Sequence, residues 1–238
     1  TLLTIPLFGQ LHYEGMVFDG LGKPLLETPS SVVVSPSGNH VYVTSFSANA
    51  INVYSREDDG QLTYQSSLKG GIDGVAGIGG AMALTMSPEG NHLYVAGSTD
   101  NSLAVFSRDV ITGALTFVSN YTTGVDGVYG ITRANAIDFS PDGNFVYVTG
   151  ADDNAVVVFS RNVLTGTLTF VQILQDENGD VNDLNYPVGV QVSKDANNVY
   201  VTSYGDNSVT VFQRDAVTGM LTFQQVIRNG VDGQPDLQ

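Results

Sequence analysis

Short apolar runs rich in Val, Tyr, Phe and Thr recur along the whole chain, separated by clusters of Gly, Asn, Asp and Ser-Pro. Runs of about four to eight such residues between turn formers read as β-strands. Four segments share one template, beginning at Ser35, Ser87, Ser140 and Ser193, with a period of about 53 residues. Each repeat holds four runs, A to D. Run A precedes the Ser-Pro turn, as in Ala83–Met86 and Ala136–Phe139. Run B is the Val-Tyr-Val stretch around Tyr42, Tyr94, Tyr147 and Tyr200. Run C leads into Tyr54, Phe106, Phe159 and Phe212, and run D ends on Tyr64, Phe117, Phe170 and Phe223.

The turns carry matching chemistry. Pro36, Pro88 and Pro141 fix the φ that opens a turn, and Gly38, Gly90 and Gly143 follow two residues later. The periodicity orders the strands. Run B is apolar on both faces and predicts burial on both. Run D alternates Leu and aromatic residues with Thr and predicts one wet face. Run A sets Leu84, Met86, Ile137 and Phe139 on one face and Ala83, Thr85, Ala136 and Asp138 on the other. A sheet covered at one edge and solvated at the other is a blade of a β-propeller, which leaves only short outer edges exposed.

The expected fold is therefore all-β, a propeller of four-stranded antiparallel blades. Full blades fall at residues 30–68, 81–121, 134–174 and 187–227. Residues 1–17 match runs C and D and form half a blade, and residues 228–238 lead toward a further one, giving about 4.5 blades. The chain reads as a single propeller segment of a larger ring, expected to hold seven blades. Either self-association or further blades would complete it.

Composition narrows the function. Nine Lys and Arg stand against 24 Asp and Glu, a formal charge of −15. Phosphate contacts need clustered Lys or Arg, so nucleic acid is a poor partner. No apolar run approaches the ~18 residues of a membrane-spanning helix. With no Cys, a disulfide framework and Cys-ligated metals are excluded.

The motifs Ser-Pro-x-Gly-Asn-x-Val-Tyr-Val-Thr, Asp-Asn-x-Val-x-Val-Phe-Ser-Arg and Thr-Gly-x-Leu-Thr-Phe resemble those of the lactonase-like β-propellers. These include the seven-bladed 6-phosphogluconolactonase type and the YVTN-type surface-layer propellers. The resemblance implies His and Arg near the start of strand A, at the channel mouth. Those places read Thr28-Pro29-Ser30, Gly80-Ala81-Met82, Arg133-Ala134-Asn135 and Tyr186-Pro187-Val188; only Arg133 is of the implied type, and no His stands there.

His40 and His92 share a repeat position that Phe145 and Asn198 fill elsewhere, which marks a strand-entry site rather than a catalytic base. Arg56, Arg108, Arg161 and Arg214 end run C in every repeat, and read as structural cations tied at the outer side to turn carbonyls or to Asp109 and Asp215. The B–C and D–A loops vary most between repeats and share one face. Loops on a rigid frame carry function, so Asp73, Asp126, Arg133 and Asp153 are the candidate ligand-binding residues. Asp176, Asn178, Asp180 and Asp183 place oxygen donors at spacings resembling half a calcium loop, and make Ca2+ the candidate cofactor. The reading is a non-catalytic extracellular scaffold, secreted, periplasmic or on the cell surface, that meets a protein or carbohydrate partner on the B–C/D–A face. The alternative is a lactone hydrolase.

Overall fold

The computed structural model describes residues 25–179 and 181–228. Its sixteen strands form four four-stranded antiparallel sheets, each paired in chain order. The first blade holds β1 (Pro29–Val34), β2 (His40–Ser45), β3 (Ala50–Arg56) and β4 (Leu62–Lys69). The second holds β5 (Ala81–Met86), β6 (His92–Gly97), β7 (Ser102–Arg108) and β8 (Leu115–Thr122). The third holds β9 (Ala134–Phe139), β10 (Phe145–Gly150), β11 (Ala155–Arg161) and β12 (Leu168–Gln175), and the fourth β13 (Pro187–Val192), β14 (Asn198–Ser203), β15 (Ser208–Arg214) and β16 (Leu221–Arg228). The half blade expected at 1–17 and the segment 229–238 lie outside the described residues.

The first strands of successive blades line up side by side. Ser30 Oγ donates to the Ala81 carbonyl at 2.5 Å, and the Val192 amide donates to Asp138 at 2.7 Å. Strand A is therefore innermost and strand D outermost. Strand D also runs longer than its aromatic motif suggests, reaching Lys69, Thr122, Gln175 and Arg228. A register shift after the aromatic, as between Val105 and Phe106, lets polar residues go on pairing with strand C.

The core consists of apolar layers between blades. Tyr94, Ile137, Phe139 and Phe159 share one layer between the second and third blades, and Phe139 packs edge-on against Tyr94 at 5.0 Å. One polar device closes each junction. The hydroxyls of Tyr42, Tyr94 and Tyr147 donate to the carbonyls of Gly113, Gly166 and Gly219 in the following blade, at 2.8, 2.5 and 2.9 Å. The same hydroxyls accept from Nε of Arg108, Arg161 and Arg214 of that blade, at 2.5, 2.9 and 2.7 Å. Each guanidinium also donates to a turn carbonyl, of Gly90, Gly143 or Ala196.

These arginines are thus structural, as their repetition suggested, but two details differ. They are buried between blades rather than placed on an outer side. The turn carbonyls they meet belong to their own blades, as expected, but their side-chain partners come from the preceding blade, while Asp109 and Asp215 cap their own turns: Asp109 Oδ1 accepts from the amides of Ile111 and Thr112, and Asp215 Oδ1 from those of Val217 and Thr218. The histidines belong to the same device. Arg108 and Arg161 donate to Nδ1 of His40 and His92 at 3.0 and 2.8 Å, while Arg214 lies over the Phe145 ring at 5.3 Å. Because Arg can only donate, each Nδ1 must accept, so each imidazole is neutral with its proton on Nε2. Burial, then the neighbouring guanidinium, lowers the pKa of both rings.

Candidate functional site

The B–C and D–A loops meet at one end of the blades. The residue just before each inner strand takes a left-handed conformation: Thr28 (φ 55), Gly80 (φ 60), Arg133 (φ 54) and Tyr186 (φ 54). For a residue with a side chain this costs roughly 1–2 kcal/mol, and such strain persists only where neighbours enforce it. Here the enforcement comes from Asn side chains of the preceding blade. Oδ1 of Asn49, Asn101 and Asn154 accepts from the amides of Gly80, Arg133 and Tyr186, at 2.7, 2.9 and 2.9 Å. The Asp beside the Asn in three B–C turns holds the loop of its own blade. Oδ2 of Asp100, Asp153 and Asp206 accepts from the amides of Gly79, Thr132 and Asn185, at 2.7, 2.7 and 2.8 Å.

The latch presents a small polar and aromatic cluster. The Arg133 side chain is 53% exposed, lies over the Tyr186 ring at 5.5 Å and places Nη1 3.9 Å from Oδ1 of Asp152. Tyr186 in turn meets Tyr204 edge-to-face at 6.2 Å, and Tyr204 is 74% exposed. A cation held over an aromatic face keeps its outward edge for an anion or an oxygen-rich ligand. The second aromatic offers an apolar shelf for the carbon face of a ring.

The four sequence-derived binding residues do not converge. Arg133 and Asp153 lie together at the inner end of the loops, with Asp153 acting through the Thr132 amide. Asp73 (φ 51) and Asp126 (φ 49) sit in turns at the outer end. Each lines a separate groove between neighbouring D strands, with cavities of about 290 and 280 Å3. The pattern alone did not single out Tyr186 with Tyr204 and Asp152. The usable signal was present: Arg133 and Tyr186 occupy the same position in successive repeats, which makes them neighbours around the ring.

In the proposed calcium loop, both carboxylate oxygens of Asp183 are engaged by Arg228, at 2.5 and 2.6 Å, and Asp176 Oδ1 accepts from the Leu184 amide at 3.1 Å. Asp180 lies outside the described residues. Among the described residues, no three His, Asp or Glu side chains are grouped so as to hold a metal ion.

The family described as "Lactonase, 7-bladed beta-propeller" matches residues 22–129 and 134–233. The chain belongs to this lactonase family of β-propellers. An uncharacterized protein of Staphylococcus aureus (strain USA300) is 26% identical over 199 residues, covering 84% of this chain and 54% of the relative. The chain thus spans about half the length of the curated relatives it matches. A Lactobacillus plantarum protein of known structure is 27% identical with a TM-score of 0.70, covering 83% of this chain and 54% of the other. A putative 6-phosphogluconolactonase from Bacteroides uniformis (24% identity, TM-score 0.69, 84% and 55% covered) shares the fold. So does a periplasmic gluconolactonase from Pseudomonas aeruginosa (23% identity, TM-score 0.68, 84% and 54% covered).

Proposed function

We propose that this member of the lactonase family acts on sugar lactones or their open acids, and that the Arg133 cluster is the recognition half of its site. The observation that carries the reading is Arg133 itself. It is an exposed cation, latched in a strained left-handed conformation at the mouth position where the family resemblance implies Arg. Lactone hydrolysis adds water to an ester carbonyl and develops negative charge on its oxygen. A fixed guanidinium stabilises that charge or anchors an anionic substituent. Tyr186 and Tyr204 supply the face on which a sugar ring lies.

Family membership and the lactonase-named neighbours support this hydrolase reading over a purely non-catalytic scaffold. The histidines of the described blades are committed to the junctions, so these blades bind and orient rather than supply an imidazole base. A location outside the cytoplasm fits the three Lys against 19 Asp and the periplasmic description of one neighbour. Calorimetric titration of the protein with gluconate and 6-phosphogluconate tests the site. Arg133→Gly removes the guanidinium while suiting φ 54, as Gly80 does at the equivalent position. Binding that is weakened at least tenfold in this variant supports the reading. No heat with either ligand, or equal affinity for both proteins, overturns it.

A further inference from the structure

The three grooves between the outer D strands of successive blades are built alike but filled to different degrees. Leu115, Leu168 and Leu221 open strand D in the second, third and fourth blades, opposite Arg108, Arg161 and Arg214 of strand C. At the third junction, Gln172 of β12 reaches across to β16. Its Oε1 accepts from the Leu221 amide at 2.8 Å, and its Nε2 donates to the Leu221 carbonyl at 3.0 Å. One side-chain carboxamide thus satisfies both outward main-chain groups of that residue. At the second junction only half is met, because the Tyr121 hydroxyl accepts from the Leu168 amide at 2.6 Å. Ser119 stands there at the register of Gln172, and its Oγ is buried without a hydrogen-bond partner.

At the first junction neither device is present. Ser66 holds the register of Gln172, and Leu68 that of Tyr121. Among the described residues, no side chain bonds to the Leu115 amide or carbonyl. These groups face outward from β8, as those of Leu221 do from β16, and the alternation of an antiparallel strand turns the groups of Phe117 the same way. Leu115 and Phe117 border an open groove of about 290 Å3 together with Leu68, Lys69, Ile72 and Asp73. The groove lies between two complete four-stranded blades, so both of its walls are whole.

We propose that this groove takes an extended peptide segment of a partner protein, added as a strand along the Leu115–Phe117 edge of β8. Gln172 indicates the occupant. At the equivalent place the protein itself uses an amide, one donor beside one acceptor, and an extended backbone presents that same pair at every second residue. Main-chain bonds hold the added strand, and its alternate side chains lie on Leu68 and Ile72. The formal charge of −15 favours a neutral or basic segment over an acidic one. Asp73, at the border of the groove, supplies a carboxylate for a lysine of that segment.

Titration of the isotope-labelled protein with acetyl-Thr-Val-Lys-Val-Thr-amide, followed by amide NMR, tests this. The bonds are to main chain, so a capped, β-prone basic sequence serves as the probe. Saturable shifts of the Leu115 and Phe117 amides are expected, with the Leu221 amide unmoved. Ser66→Gln copies Gln172 and is expected to weaken peptide binding at least tenfold. Gln172→Ser opens the third junction and is expected to make the Leu221 amide respond to the peptide as well. Ser66 is exposed and Gln172 lies on an outermost strand, so circular dichroism should show both variants folded. A wild type without a saturable shift at Leu115 overturns the proposal, as does equal peptide affinity in Ser66→Gln. So does a Leu221 amide that stays silent in Gln172→Ser. Propionamide, or the same peptide with Glu in place of Lys, binding as tightly as the lysine peptide also overturns it.

Discussion

At the scale of single residues, the repeats act as internal controls. Ala196 takes the turn position that Gly38, Gly90 and Gly143 fill elsewhere, and it does so at φ 64. A left-handed Ala costs more than the extra freedom that Gly gains on unfolding. Ala196→Gly is therefore expected to stabilise the protein by about 0.5–1 kcal/mol, read as a rise in the denaturation midpoint. His92 supports a second prediction. Its pKa is lowered in the folded protein, first by burial and then by the Arg161 charge, with Glu89 opposing. The unfolded chain therefore takes up a proton first as pH falls. The contribution of the neutral ring is fully present above the ordinary histidine pKa of about 6.5 and is lost as pH drops below it. His92→Phe copies Phe145 of the next repeat and should flatten melting temperature against pH between about 7 and 5. An unchanged slope would show that the ring is not a stability-linked group.

At the scale of elements, a blade is held as much by its neighbour as by its own sheet. Tyr94→Phe removes an acceptor from the buried Arg161 Nε and a donor from the Gly166 carbonyl. An unsatisfied buried charged donor costs roughly 2–3 kcal/mol, and equilibrium unfolding in urea should show a loss of that size. Burial holds the Tyr147 hydroxyl up at about 12, so its bonds should survive through neutral and mildly alkaline pH. The 176–183 loop gives a contrasting case. With Asp183 chelated by Arg228, Asp183→Ala is expected to lower the melting temperature by a few degrees. Added calcium in the same thermal scan tests the metal reading: an upward shift of the wild type would support it, and an unmoved transition would remove it. The strands, their order and the outward face of strand D were legible because alternation and turn residues are local signals. The junction device was only half legible: repetition marked Arg108, Arg161 and Arg214 as structural, but their tyrosine partners lie 66 or 67 residues away in the chain. Nothing in a local pattern joins such pairs before the blades are stacked.

At the scale of the whole molecule, the rigid frame of repeats serves to hold a few loop residues in conformations they would not adopt alone. Asn101 and Asn154 force Arg133 and Tyr186 into left-handed backbone, and both side chains then meet at the mouth. The sequence reading set Arg133 on the B–C/D–A face, where the structure brings it against Tyr186 and Asp152. It also gathered Asp73 and Asp126, which share that face but line grooves at its outer edge. Radial position on a blade depends on where along the D–A loop a residue falls, and run lengths resolve that poorly. Asp153 was legible as a turn former, and its bond to the Thr132 amide shows that charge reversal there would disturb the latch as well as any ligand. We propose that this mouth serves lactone chemistry through Arg133. The most direct measurement is the initial rate of δ-gluconolactone and 6-phosphogluconolactone hydrolysis followed by pH-stat, for the wild type and Arg133→Gly. The account predicts hydrolysis above the uncatalysed rate, reduced about 100-fold or more in the variant, as for loss of one oxyanion-stabilising donor. A wild type no faster than buffer, or a variant as fast as the wild type, would contradict it.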